Sequence, residues 1–511
     1  MAGGGIRQIF QDITVRLLVS IAVSTVGSLQ FGLHLAELNA PQDVITCKKR
    51  SIAARLTTWV TSTHPTAAAA APSDWLPECI PMNEAAFATI SSVFTLGGLI
   101  GALCAGPLSS KRGRLLAMRA TAAFYILGAL IETLAGNVFV MALGRLLSGV
   151  GAGASTVIVP LYISEIAPPK ERGLFGAMTQ ISINVGILVT QTLGYFLSYG
   201  MAWRWILGSG VMFAAVQGAG LLVVPESPAW LAAHGQAAKA RRILQGIRGD
   251  KFDIKEEVEG WAEDGEADGE TQGLLASEEA AVAQAPASSQ RLEHLGFFEV
   301  VKDPNSRPAI VAVIGVMFAQ QLCGINSIIM YSVSLLADLL PISSALLTIL
   351  ISLVNLGTTI ACSPLPDRLG RKTCLLLSIV GQGTTALILA LSIVFGAKIL
   401  SAVAVLGFVG FFAVGLGPVP FILASELVGQ EAVGATQSWS LGANYVATFL
   451  VAQFFPIINK ALNSALGGHG WVYFIFTALA AGSAVFVYWT VPETKGKKDV
   501  DEVWGRTRRV D

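Results

Sequence analysis

The chain has 511 residues, 53% of them hydrophobic and only 13% charged, and its 34 basic and 34 acidic side chains cancel. Soluble domains carry about a quarter charged residues, so this balance excludes a soluble enzyme, a disordered or collagen-like chain and a nucleic-acid-binding protein. A mean hydropathy of +0.62 and 53 glycines, which favour close helix–helix approach in lipid, point to a polytopic helical membrane protein.

In chain order, residues 1–12 lack the basic and apolar regions of a removable signal peptide. The run 15–38 is long enough to stay in the bilayer as a first span. Further apolar runs lie at 85–108, 115–135, 139–163, 174–197 and 203–224. A second set follows at 307–338, 344–366, 373–394, 398–425, 435–459 and 470–491. The pattern predicts an all-α membrane protein with twelve transmembrane helices. Residues 1–224 form an N-terminal six-helix bundle and 225–305 a hydrophilic insert. Residues 306–494 form a C-terminal six-helix bundle, and 495–511 a tail.

Lys111, Arg112, Arg114 and Arg119 follow span two, and Arg368, Arg371 and Lys372 follow span eight. By the positive-inside rule these ends, both termini and the insert are cytosolic. Lys48, Lys49, Arg50 and Arg55 fall in the loop after span one, which parity places outside. Long loops cross with less regard to charge. Cys47 and Cys79 share that loop and form the natural disulfide pair in an oxidising compartment, free thiols being the alternative. Cys104, Cys323, Cys362 and Cys374 sit in or beside apolar runs as small core residues.

The insert begins with a basic helical stretch, residues 230–247, and continues as an acidic, Gly/Ala/Ser-rich segment expected to be largely disordered. Within it, residues 270–275 (Glu-Thr-Gln-Gly-Leu-Leu) fit an acidic dileucine pattern. A sorting adaptor reading Leu274 and Leu275 would direct the protein to a vacuolar or endosomal membrane rather than the plasma membrane.

The two halves repeat one another. Ser110-Lys111-Arg112-Gly113-Arg114 after span two corresponds to Asp367-Arg368-Leu369-Gly370-Arg371 after span eight. Ser164-Glu165-Ile166 corresponds to Ser425-Glu426-Leu427, and Pro225-Glu226-Ser227 to Pro492-Glu493-Thr494. The offsets are 257 (114 to 371), 261 (165 to 426) and 267 (226 to 493). Three boxes in one order at nearly one offset mark a duplication, as alternating-access transporters have.

These boxes, with Pro160-Leu161-Tyr162-Ile163-Ser164-Glu165, Gln320-Gln321-Leu322-Cys323-Gly324-Ile325-Asn326 and Gly27-Ser28-Leu29-Gln30-Phe31-Gly32, resemble the sugar-porter branch of the major facilitator superfamily. The likeness to facilitative hexose transporters runs from about residue 15 to 500, apart from the outer loop and the acidic insert. It implies the major facilitator fold, a monosaccharide cargo (a hexose above all), a monomeric transport unit and no cofactor. It also implies a cytosolic gate of Arg114, Glu165, Arg172, Glu226, Asp367, Arg371, Glu426 and Glu493, pairing between the halves to shut the cytosolic side. Val433 stands where the counterpart of Arg172 would be, and Ser110 where that of Asp367 would be, so the gate is expected to be under-bonded.

Uncharged amides within apolar spans are costly unless partnered, and an amide offers the donors and acceptors a pyranose needs. By resemblance, Gln180, Gln320, Gln321, Asn326, Asn355 and Asn444 hold the sugar. Phe421 stands where relatives carry tryptophan. Gln321 and Asn326 share a side only if the helix breaks at Gly324. His34 occupies the position of an aspartate in proton-coupled porters and an asparagine in facilitators; its partner there is Arg145. A histidine held neutral by burial and a neighbouring arginine favours uniport over proton symport, with a non-transporting sugar sensor as the different-class alternative. Span interiors otherwise read as nearly free of charge, and no Walker A box, metal cluster or catalytic triad is visible.

Overall fold

The computed structural model describes residues 14–48, 76–168, 171–249, 252–258, 299–336, 344–429, 432–497 and 500–505. Leu274 and Leu275 lie outside the described residues, as does the side chain of Arg172. Among the described residues the first six spans are Val15–Ala36, Glu84–Arg112, Arg114–Thr133, Val138–Ile166, Arg172–Leu197 and Trp203–Gly220. Span seven is broken into Arg307–Leu322 and Ile325–Leu336, and span eight is Ser344–Cys362. Span nine is Arg371–Val394, and span ten is Lys398–Val414 continued by Val419–Glu426. Spans eleven and twelve are Val433–Leu466 and Val472–Thr490. The chain is an all-α, multi-pass membrane protein whose twelve spans form two pseudo-symmetric bundles of six.

Local chemistry sets where these helices start. Side chains of Thr14, Asn83 and Asn137 accept hydrogen bonds from Leu17, Ala86 and Val140 backbone N–H groups at the N-termini of spans one, two and four, which satisfies donors a helix leaves open. Leu96, Ile100 and Leu103 of span two recur at helical spacing and remain exposed, a lipid-facing stripe. Its other side packs on span four so tightly that a Cβ on Gly153 would sit 1.8 Å from the Gly98 carbonyl oxygen. Small residues therefore fix this interface.

Span two packs on span eleven, span five on span eight and, less extensively, the second piece of span seven on span one, and these contacts join the bundles. Span seven bends by 41° at Gly324, whose φ is +98°. Beyond span six, helix Ala237–Arg248 folds back on the bundle. Its Arg248 is buried and donates to the Ile166 and Ala167 carbonyls at the end of span four, 2.6 and 3.2 Å away, while pairing with Glu257 at 2.7 Å. Thr14 bonds the Ile247 carbonyl from the start of span one. This piece of the insert is thus part of the folded protein.

Candidate functional site

Charged boxes cap spans three and nine in the same way. Arg114 Nη2 meets Glu165 at 2.8 Å, and Arg371 Nη2 meets Glu426 at 2.8 Å. Glu226 accepts from the Arg114 backbone N–H at 2.9 Å, and Glu493 from that of Arg371 at 2.8 Å. Each carboxylate thus closes the positive end of a helix. Gly113 (φ +95°) and Gly370 (φ +103°) precede the two arginines, and a Cβ on either would lie 2.4 Å from the glutamate. The cross-half pairs expected of a shut cytosolic gate are not made among its described residues in this state. Among its described members every ion pair stays within one half, including Asp367–Arg371 at 2.9 Å. Each arginine turns Nε and Nη2 to the span-end glutamate of its own bundle and spends Nη1 on a backbone carbonyl, of Ser109 or Pro366.

The opposite face carries the Cys47–Cys79 disulfide, with Cα atoms 5.3 Å apart. Here contacts do cross between the halves. Glu84 pairs with Lys460 at 3.5 Å and with Lys48 at 3.5 Å. Ser92 donates to Gln453 at 2.6 Å, and Asn39 to the Ile329 carbonyl at 2.8 Å. A vestibule of about 510 Å³ opens on this face, with Phe87, Tyr331 and Phe455 among its lining. Tyr331 is buried and anchored by its hydroxyl on the Ala452 carbonyl at 2.8 Å.

Between the halves lies a second cavity of about 100 Å³. Gln180, Gln320, Gln321, Asn326, Asn355, Phe421 and Asn444 all line it. One amide chain runs within the C-terminal half: Asn326 donates to Gln321 (2.5 Å), Gln321 to Gln320 (3.2 Å), and Asn444 to Gln320 (2.5 Å). Gln320 then donates to the Leu416 carbonyl in the break of span ten. A second chain crosses between the halves through Asn184, which donates to Thr359 at 2.8 Å and accepts from Asn355 and Gln180 at 3.3 Å. The break at Gly324 brings Asn326 back to Gln321. Thr156 and Tyr445 meet across the halves at 3.1 Å and also line the cavity. Sequence reading missed Asn184, although an amide four residues after Gln180 shares its helix face. Drug-sized ligands occupy pockets of about 300–1,000 Å³, so this cavity must widen to admit a sugar.

His34 and Arg145 are buried together, but not as a simple pair. Arg145 donates to the backbone carbonyl of His34 and to Glu37 Oε1, each at 2.6 Å. The His34 ring stacks on Tyr125 at 5.3 Å and shares a hydrogen bond of 3.0 Å with Glu37. Glu132 of span three accepts from Ser148 at 2.7 Å. Both Glu37 and Glu132 are at most 1% exposed. Beyond the nearly uncharged span interiors expected, two buried carboxylates lie around Arg145, Glu37 just past the end of span one and Glu132 in the last turn of span three. Glu132 carried its own signal, an acidic residue late in an apolar run, where ionisable groups are rare unless partnered.

The comparisons agree with this architecture. Residues 20–504 match the model of the family described as sugar (and other) transporter. A probable metabolite transport protein of Saccharomyces cerevisiae is 34% identical over 99% of this chain and 98% of its own. Human solute carrier family 2, facilitated glucose transporter member 4, is 28% identical over 95% and 90%. The inward open structure of the xylose transporter XylE from E. coli superposes with a TM-score of 0.70 at 22% identity, covering 96% of this chain and 99% of that one. The chain belongs to the sugar transporter family and has the major facilitator fold.

Proposed function

We propose that this protein carries a monosaccharide, a hexose above all, across its membrane by alternating access. The observation that carries the reading is the cavity between the halves, lined by seven amides and no charged side chain. Such a lining suits a neutral polyol, whose hydroxyls both donate and accept. Asn355 Oδ1 is buried without a partner and offers an acceptor to a sugar hydroxyl. Phe421 and Tyr445 supply apolar ring faces beside those amides. The cross-half bonds on the disulfide face support a state shut towards the outside, with the charged face cytosolic. Opening outward would break Glu84–Lys460 and Ser92–Gln453.

Facilitated-diffusion uniport is the favoured form. Relatives named as facilitated glucose transporters support it. A monomer is the transport unit. Sorting through Leu274 and Leu275 to an endosomal or vacuolar membrane draws support from a yeast relative named vacuolar protein sorting-associated protein 73, 32% identical over 96% of both chains. The deciding experiment is counterflow of labelled glucose into vesicles holding the purified protein. Accumulation against preloaded sugar is expected, and its absence across the common hexoses sinks the reading. Sugar-evoked current or acidification would overturn uniport alone.

A further inference from the structure

The geometry points to a bound proton held between Glu37 and Glu132, in a site behind the sugar cavity that sets the rate of sugar exchange. Charge counting is the first reason. Two carboxylates face one guanidinium, and all three are buried. Every charged or titratable neighbour can be named. Span one supplies His34, span three Glu132 and Tyr125, span four Arg145, and span seven Tyr331. Arg204 of span six spends its guanidinium on the carbonyls of Pro77, Thr133 and Ala135. With both carboxylates ionised and His34 neutral, one negative charge is left uncompensated in a low-dielectric interior, which is costly. One proton restores neutrality. A divalent cation would overshoot and leave a positive charge.

Unmet hydrogen-bonding capacity is the second reason. Glu37 Oε2, Glu132 Oε2 and His34 Nε2 are all buried without a partner. The three residues offer atoms within 4.8 Å of one another, and the two carboxyls are close enough to share a hydrogen bond. Two facing carboxyls cannot both stay ionised at such range; a proton between them turns repulsion into a bond.

The third reason is position. Phe94 lines the sugar cavity on one side, and Arg145 lies 4.4 Å over its ring on the other. Losing the proton would strengthen the pull of Glu132 on Arg145 and so shift Phe94 against the cavity. Sugar exchange should therefore slow as pH rises. That consequence rests on the sugar-transport reading, whereas proton binding itself does not.

The test separates the two. Infrared difference spectra of the solubilised protein, recorded without sugar, should show a protonated-carboxyl band at neutral pH that disappears in Glu132→Gln. An identical band in wild type and Glu132→Gln would overturn the site, as would calorimetric binding of Zn²⁺ or Mn²⁺ lost in that variant. In vesicles, wild-type counterflow should fall by up to about tenfold per pH unit once the site empties. Glu132→Gln, neutral without a proton, should flatten that profile. A wild-type profile already flat from about pH 6 to about pH 8.5 would overturn the link to exchange. The wild-type infrared titration, which needs no variant to fold, stands as the second measurement: no carboxyl signal changing with pH rejects the proposal.

Discussion

The two halves share an outer skeleton and differ inside. On the charged face the match extends to single contacts: Arg114–Glu165 and Arg371–Glu426 close at 2.8 Å, and Glu226 and Glu493 cap spans three and nine in the same way. The bundle interiors have diverged. The N-terminal half buries Glu37, Glu132 and Arg145, while the C-terminal half supplies Gln320, Gln321, Asn326 and Asn444 to the central cavity. Helix ends are held by geometry common to both copies, so duplication preserves them. Interiors were free to specialise, one towards charge and the other towards a neutral polar ligand.

That comparison can be broken at several depths. The largest effect should come from Arg145→Ala, which leaves two carboxylates buried against each other. Removing one member of a buried ionic cluster typically costs about 3–5 kcal/mol, so thermal unfolding in detergent should show a severe loss of stability. Next come Gly113→Ala and Gly370→Ala. Both put a Cβ onto a glutamate and force a side-chain residue to positive φ, at about 1–3 kcal/mol each. Equal losses in the same melting assay would confirm that the two caps are one device, and a large inequality would break the symmetry.

Asn444→Ala removes a donor from the amide chain and leaves Gln320 Oε1 without that bond. Gln321 still donates to that oxygen, so melting should change little, while a hydrogen bond lost to the sugar costs about 0.5–1.5 kcal/mol and should lower affinity by up to about tenfold in equilibrium binding. Asp367→Asn should matter least. Asp367 is 76% exposed, and exposed pairs contribute about 0–1 kcal/mol. Its effect on stability should be small and shrink with salt, showing that Ser110 in the other half costs the N-terminal cap little.

Much of this was legible in the chain itself. Hydropathy placed the twelve spans close to their observed bounds, because a helix in lipid must satisfy its backbone internally over a fixed thickness. The repeated Gly-Arg, Ser-Glu and Pro-Glu boxes announced two copies. The six amides were visible as polar residues where they are expensive, and all six line one cavity. Glu37 was harder to see, since it falls at the polar margin of an apolar run. Glu132 was legible and was passed over. Which glutamate each arginine of the charged boxes meets was not legible, because equal spacing in two copies does not say whether an arginine reaches its own glutamate or its counterpart's.

The sequence by itself determined a twelve-span membrane protein of two related halves with a neutral polar interior surface, because burial in lipid penalises every misplaced charge and leaves a readable trace. Only the tertiary structure decided which charges meet. Glu37 and Glu132 lie 95 positions apart on different helices, and nothing in periodicity brings them to one side of Arg145. Contacts between helices depend on rotation and crossing, which tight glycine packing such as that of Gly98 on Gly153 sets.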